Sequence, residues 1–148
     1  MRQDELEWTE REISTTLGVW AVGSVIKGGA IALIGRRTGH QQWTRFGRQT
    51  AMWGAVDAAI AGVGTLLRNR RGELTPEQVD QEVAKLRRLL LINAAADVVY
   101  MVGSTVIVTR GRAGRTTWRM GRGDGLAILI QGAFLLVLDT TYARKLSA

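Results

Sequence analysis

The chain of 148 residues contains no cysteine, one proline and one histidine. Without cysteine there is no disulfide framework, no thiol nucleophile and no thiolate-bound metal. With His40 alone, a histidine-ligated metal centre or a histidine-based triad lacks its parts. No cofactor, no metal and no catalytic site are therefore expected, and the chain is expected not to be an enzyme. A single proline leaves long helices uninterrupted. Acid is also the minority charge: 13 aspartates and glutamates stand against 20 lysines and arginines, a net charge of +7. The resulting isoelectric point near 11.0 calls for an anionic partner, either nucleic acid or an anionic lipid surface.

The most telling scarcity is local. Residues 17–34, 50–67, 89–109 and 125–143 are long, apolar and nearly free of charge. Of all the charged residues only Lys27, Asp57, Asp97 and Asp139 fall inside them. A bilayer's hydrocarbon core needs about 17–25 helical residues, and each stretch supplies that. A soluble bundle would carry a polar face at helical spacing, which these stretches mostly lack. The 18 glycines fit the same reading, because membrane helices associate through small residues. Gly54-x-x-x-Ala58-x-x-x-Gly62 and Gly28-x-x-x-Ala32 are candidate ladders of that kind. The expected fold is all-α: one integral membrane domain over residues 1–148, a four-transmembrane-helix bundle. The first sixteen residues are acidic and polar, unlike the basic start of a cleavable signal peptide, so the first span would itself target the chain.

Shifting the sequence by 74 residues aligns it with itself without a gap. Leu17 meets Leu91, Ala21 meets Ala95, Gly29 meets Gly103, and Arg45-Phe46-Gly47-Arg48 meets Arg119-Met120-Gly121-Arg122. This pattern predicts two repeated helical hairpins, 13–68 and 86–145, joined by a connecting segment, 69–85. Thr75-Pro76-Glu77-Gln78 reads as a helix start, with a Thr cap, proline at the first helical position and Gln three residues on. A helix from Pro76 into the third span would be about 50 Å long, so helices one and three are expected to extend beyond the membrane. The acids of residues 4–16 would then face Lys85, Arg87 and Arg88.

The short loops are rich in arginine: Arg36, Arg37, Arg45 and Arg48 in one, Arg110, Arg112, Arg115, Arg119 and Arg122 in the other. They are expected to meet anionic lipid headgroups, with Trp118 at the interface, and nucleic acid is not an expected partner. Arginine density favours these loops facing the cytoplasm, which would put both termini outside; the opposite side carries ten basic residues, so the bias is small. Gly121-Arg-Gly-Asp-Gly125 has the glycine density of a phosphate loop, but no Gly-Lys-Ser/Thr follows, so it reads as a helix start.

Each charged or amide side chain inside a span is a functional-site hypothesis. Counted from the arginines that bound the loops, Lys27, Asp57 and Gln131 each lie nine residues deep. They would share a level, with Lys27 and Asp57 as an ion pair. Asn93 and Asp139 would share a second level, with Asp97 between, and Tyr100 continues the face of Asn93. Two uses compete for this polar seam. It is either interhelical bonding that fixes register or a path for protons or cations. The first makes the protein a non-enzymatic membrane or accessory component, alone, as a homo-oligomer or within a larger membrane complex. The alternative is a small transporter or proton/cation-conducting protein.

The second half carries a family resemblance. Leu91-Ile92-Asn93-Ala94-Ala95-Ala96-Asp97-Val98-Val99-Tyr100 and Gln131-Gly132-Ala133-Phe134-Leu135-Leu136-Val137-Leu138-Asp139 resemble a family of small, four-helix bacterial membrane proteins classed only as a domain of unknown function. Its pattern is similar to Leu-x-Asn-Ala-x-x-Asp-x-x-Tyr followed by Gln-Gly-x-Phe-Leu-Leu-x-x-Asp. The chain departs from it at Asp57, where the family has a polar amide, and at Lys27, which lies outside the pattern. The resemblance implies a multi-pass protein of the bacterial inner membrane and supplies no activity. It gives Asn93, Asp97, Tyr100, Gln131 and Asp139 more weight than Lys27 and Asp57.

Overall fold

The computed structural model describes residues 1–110 and 120–147. Four helices account for nearly all of them: α1 (Gln3–Arg37), α2 (Gln41–Asn69), α3 (Pro76–Arg110) and α4 (Arg122–Lys145), with no strand among the described residues. At 1.5 Å per residue, the 35 residues of α1 and of α3 each span about 52 Å, well beyond a hydrocarbon core of about 30 Å.

Side-chain hydrogen bonds open α1, α3 and α4. The Arg2 backbone N–H donates to Glu5 Oε2 at 3.0 Å, and the Arg2 guanidinium reaches the same carboxylate. That backbone bond, then the side-chain bond, holds the Glu5 carboxyl below its ordinary range. At α3 the expected capping box forms: Gln78 N–H donates to Thr75 Oγ1, and Thr75 N–H donates to Gln78 Oε1. Gly121 N–H donates to Asp124 Oδ2 at 2.8 Å to open α4. Between α1 and α2 only three residues turn the chain. Gly39 takes φ 72°, and His40 N–H reaches back to Gly35 O, the glycine-dependent closure of a helix C-terminus.

The helices pair as two hairpins, α1 with α2 and α3 with α4, and the hairpins meet mainly through α2 and α4. The first hairpin is held by backbone approach. A Cβ on Gly28 would lie 2.5 Å from Ala51 N, and one on Gly54 would lie 2.8 Å from Ala21 O. Gly47 sits against the backbone of Gly28 and Ala32, and Gly35 against Thr44. The interlocking row on α2 is thus Gly47, Ala51 and Gly54. Ala58 and Gly62, the other members of the expected ladder, are exposed, and Gly62 has open space around it. On α4, Gly125 makes room for the Val108 side chain and Ser104 O, and Gly132 for the Met101 side chain of α3.

Larger side chains fill the opposite end of the bundle. Leu17, Ala61, Leu90, Leu138, Tyr142 and Leu146 form the apolar core there. Beyond it, the Arg71 guanidinium grips Glu10 with two bonds of 2.9 and 3.0 Å, and Lys145 pairs with Glu12 at 2.6 Å. The N-terminal acids therefore meet Arg71 and Lys145, while Lys85 pairs with Glu82 of its own helix. Outside, the bundle presents apolar side chains to its surroundings: Val19, Ile26, Val99 and Val137 are each more than three-fifths exposed. An apolar exterior around small-residue contacts suits lipid as solvent.

Candidate functional site: a polar clasp and an acidic cleft

The polar seam separates into two parts. The first is a clasp between the hairpins. Gln131, on the face of α4 that meets α2, donates through Nε2 to Asp57 Oδ2. Its Oε1 accepts the indole N–H of Trp20 on α1 at 2.9 Å. The Trp20 ring lies flat on Phe134 at 3.9 Å between centroids, which fixes the indole's angle. Gln131 and Asp57 are almost wholly buried, so each supplies the other with a hydrogen-bond partner in place of bulk water. Trp20, which is not among the expected site residues, completes this arrangement.

The second part is a cleft of about 410 Å³ between α2 and α3, floored by α4. α2 and α3 stay apart along their length, bridged by an edge-to-face contact of Trp53 and Tyr100 at 5.8 Å. Leu86, Leu90, Ile60 and Leu138 make most of its wall apolar. Asn93, Asp97, Asp139 and Asp57 supply its polar groups, and Glu10 and Ser14 stand at the end nearest the termini. Asp97 is 4% exposed, yet its Oδ2 has no hydrogen-bond partner. The Trp53 Nε1 is likewise buried and unpartnered. None of the three aspartates makes an ion pair, and no group of three metal-binding side chains converges among the described residues. Asn93 and Tyr100 line this cleft as exposed residues rather than in a sealed interior.

Lys27 joins neither part. It is exposed, and the glycine contacts show why the expected pair with Asp57 fails. Gly28 packs at Gly47 and Ala51, and Gly54 packs at Ala21 and Ser24. Lys27 is therefore level with about Thr50, and Asp57 with Trp20. Seven residues along α1, about 10 Å, separate Lys27 from Asp57's level. Depth counted from Arg48 misplaced them because α2 already starts at Gln41. Lys27 stands instead within two residues of Arg48's level, toward the arginine-rich end.

At that end Arg36, Arg37 and Arg48 are exposed. Arg45 is partly buried in an ion pair with Asp124 at 3.3 Å, and Gly123 N–H donates to Gln42 Oε1. Arg122 is half-buried, its Nε without a hydrogen-bond partner. Arg112, Arg115 and Arg119 lie outside the described residues, as does Trp118, and of Arg110 only its place at the end of α3 is described.

All four helices are long and apolar enough to cross a membrane. That build, with a lipid-suited exterior and the polar groups turned inward, is the build of a multi-pass helical membrane protein. The chain belongs to a family of unknown function, DUF6992, whose profile matches residues 16–140. No curated protein and no solved structure matches it.

Proposed function

We propose that the chain is a non-enzymatic component of the cell membrane, the inner membrane of a bacterium, serving as an accessory subunit that folds as a bundle of two duplicated hairpins. The observation that carries this is the clasp: Gln131 spends both ends of its amide on Asp57 and Trp20, and so joins the hairpins. Buried polar groups engaged with one another fix register. The duplication draws support from the same pair, since Asp57 and Gln131 stand 74 residues apart, the period of the sequence repeat. Lys27, Arg36, Arg37 and Arg48 form an exposed basic band at the end where the hairpins turn, suited to anionic lipid headgroups. A homo-oligomer or a larger membrane complex is the expected setting.

Reconstituted vesicles test this reading. The purified protein should give no proton or cation flux above protein-free vesicles, and Gln131→Leu should lower the resistance of the bundle to unfolding. A flux in the wild type that Asp97→Asn abolishes would replace it with the second reading, a small transporter. That alternative draws on one observation, the unpartnered Asp97 carboxylate in an open cleft.

A further inference from the structure

The cleft is graded along its length. Glu10 and Ser14 mark its mouth at the end of the bundle that holds the termini. Asp139 and Asn93 follow, then Asp97, with Trp53 and Tyr100 at the bottom. Glu10 is ten residues from Trp20, which lies level with Asp57, so the cleft descends about 15 Å, half of a hydrocarbon core of about 30 Å. Beyond that depth the first hairpin is closed by the contacts of Gly28, Gly47 and Gly35. The carboxylates are strung along this descent, within reach of one another's charge, rather than gathered around one point. Among the described residues no lysine or arginine lines the cleft itself, while Arg71 and Arg68 bond Glu10 and Ser14 at its mouth.

A smaller cavity of about 10 Å³ continues behind the cleft, edged by Trp53, Asp97, Tyr100 and Gln131. One water molecule needs about that much space and two to four polar partners. Two of the four buried, unpartnered side-chain atoms among the described residues, Asp97 Oδ2 and Trp53 Nε1, belong to residues that edge it. One is an acceptor and the other a donor, and a water molecule offers the complement of each. A water molecule admitted there by a small side-chain shift gives both atoms a partner, where a dry apolar filling leaves both unsatisfied.

We propose that the cleft is a water-filled proton half-channel, open to the side of the membrane that holds the termini and ending at Asp97. A hydronium ion entering past Glu10 gives its proton to a carboxylate oxygen of Asp97: an O–H bond forms on the carboxyl group, one hydronium O–H bond breaks, and water remains. The charged groups along the path are Asp57 from α2 and Asp139 from α4, and at the mouth Glu10 from α1, which shares Arg71 with Glu82 of α3, and Arg68 of α2, which bonds Ser14 Oγ. Through-conduction requires a partner to supply the other half, so the isolated protein binds and releases protons without passing them. This holds whether or not the clasp is the protein's main purpose.

The absence of native cysteine makes the test direct. Asn93→Cys and Ala96→Cys, with Ile60→Cys as a second probe on α2, place single thiols in the cleft; Val99→Cys and Val102→Cys place them on the outer face of α3. Variants of wild-type helicity are reconstituted in phosphatidylcholine–phosphatidylglycerol vesicles and treated with a charged, water-soluble methanethiosulfonate. Because the reactive thiolate does not form in hydrocarbon, the cleft thiols should react about tenfold faster or more than the outer ones. Equal, slow rates at all five positions would overturn the proposal and mean that an acyl chain or an apolar helix fills the cleft. Infrared spectra give a readout that folding alone does not move. The protonated-carboxyl band should follow bulk pH and shrink in Asp97→Asn, and a band that ignores both would also overturn it.

Discussion

Two adjacent glycines in α1 should respond to the same substitution with opposite signs. A methyl group at Gly28 would lie 2.5 Å from Ala51 N and 2.7 Å from Gly47 O. Both neighbours are backbone of α2, so no side chain can swing aside. Restoring ordinary contact requires the helices to separate locally by about 1 Å, which also loosens Gly47 against Ala32. Overpacking of this kind costs about 1–3 kcal/mol. At Gly29 the same methyl meets open space. There the exchange only removes glycine's backbone freedom, a gain of up to about 1 kcal/mol. Equilibrium unfolding in mixed detergent micelles, followed by far-ultraviolet circular dichroism, measures both. Gly28→Ala should unfold at lower denaturing detergent than the wild type, and Gly29→Ala at equal or higher. If Gly28→Ala is tolerated as well as Gly29→Ala, the close packing of α1 on α2 is wrong.

Gln131→Leu leaves Asp57 and the Trp20 indole without partners and should cost about 1–3 kcal/mol in the same assay, the upper part of the range for interhelical bonds in membranes. Trp20→Phe keeps the ring on Phe134 but loses one bond, so about 0.5–1.5 kcal/mol is expected, and a double-mutant cycle with Gln131→Leu should show the two effects to be coupled. Arg71→Gln frees Glu10 at the water-facing end, with a loss of about 1 kcal/mol that shrinks as salt is added. The lowered Glu5 carboxyl stabilises the start of α1 above the ordinary carboxylate range, and that support is lost as pH falls through the depressed value. Faster amide exchange at Leu6, whose N–H bonds to Arg2 O, reports that loss in acid.

The segregation of charge was enough to find the four helices, since spans of 18 to 21 apolar residues between arginine-rich loops admit little else. The Thr75-Pro76 start of α3 was legible because a capping box is local chemistry. Register across a hairpin was not. It depends on how tightly the turn closes, and three residues around Gly39 carry α2 back earlier than the arginines suggest. That shift moved Lys27 out of the polar seam and left Trp20 facing Gln131 in its place. The face of a glycine ladder was half legible: Gly54 and Gly28 lie in the interface, but α2 turns Ala58 and Gly62 outward and uses Gly47 instead. Trp53 could be found only in three dimensions, because its importance comes from Tyr100 and Asp97 across the cleft.

The proposed topology is four membrane crossings with the polar groups turned inward. Its plainest test is extraction of membranes by alkaline carbonate, combined with accessibility of tags placed at the two ends. The protein should stay in the membrane until detergent is added, with both tags on the same side. A chain released as a soluble monomer without detergent, or tags on opposite sides, would contradict it.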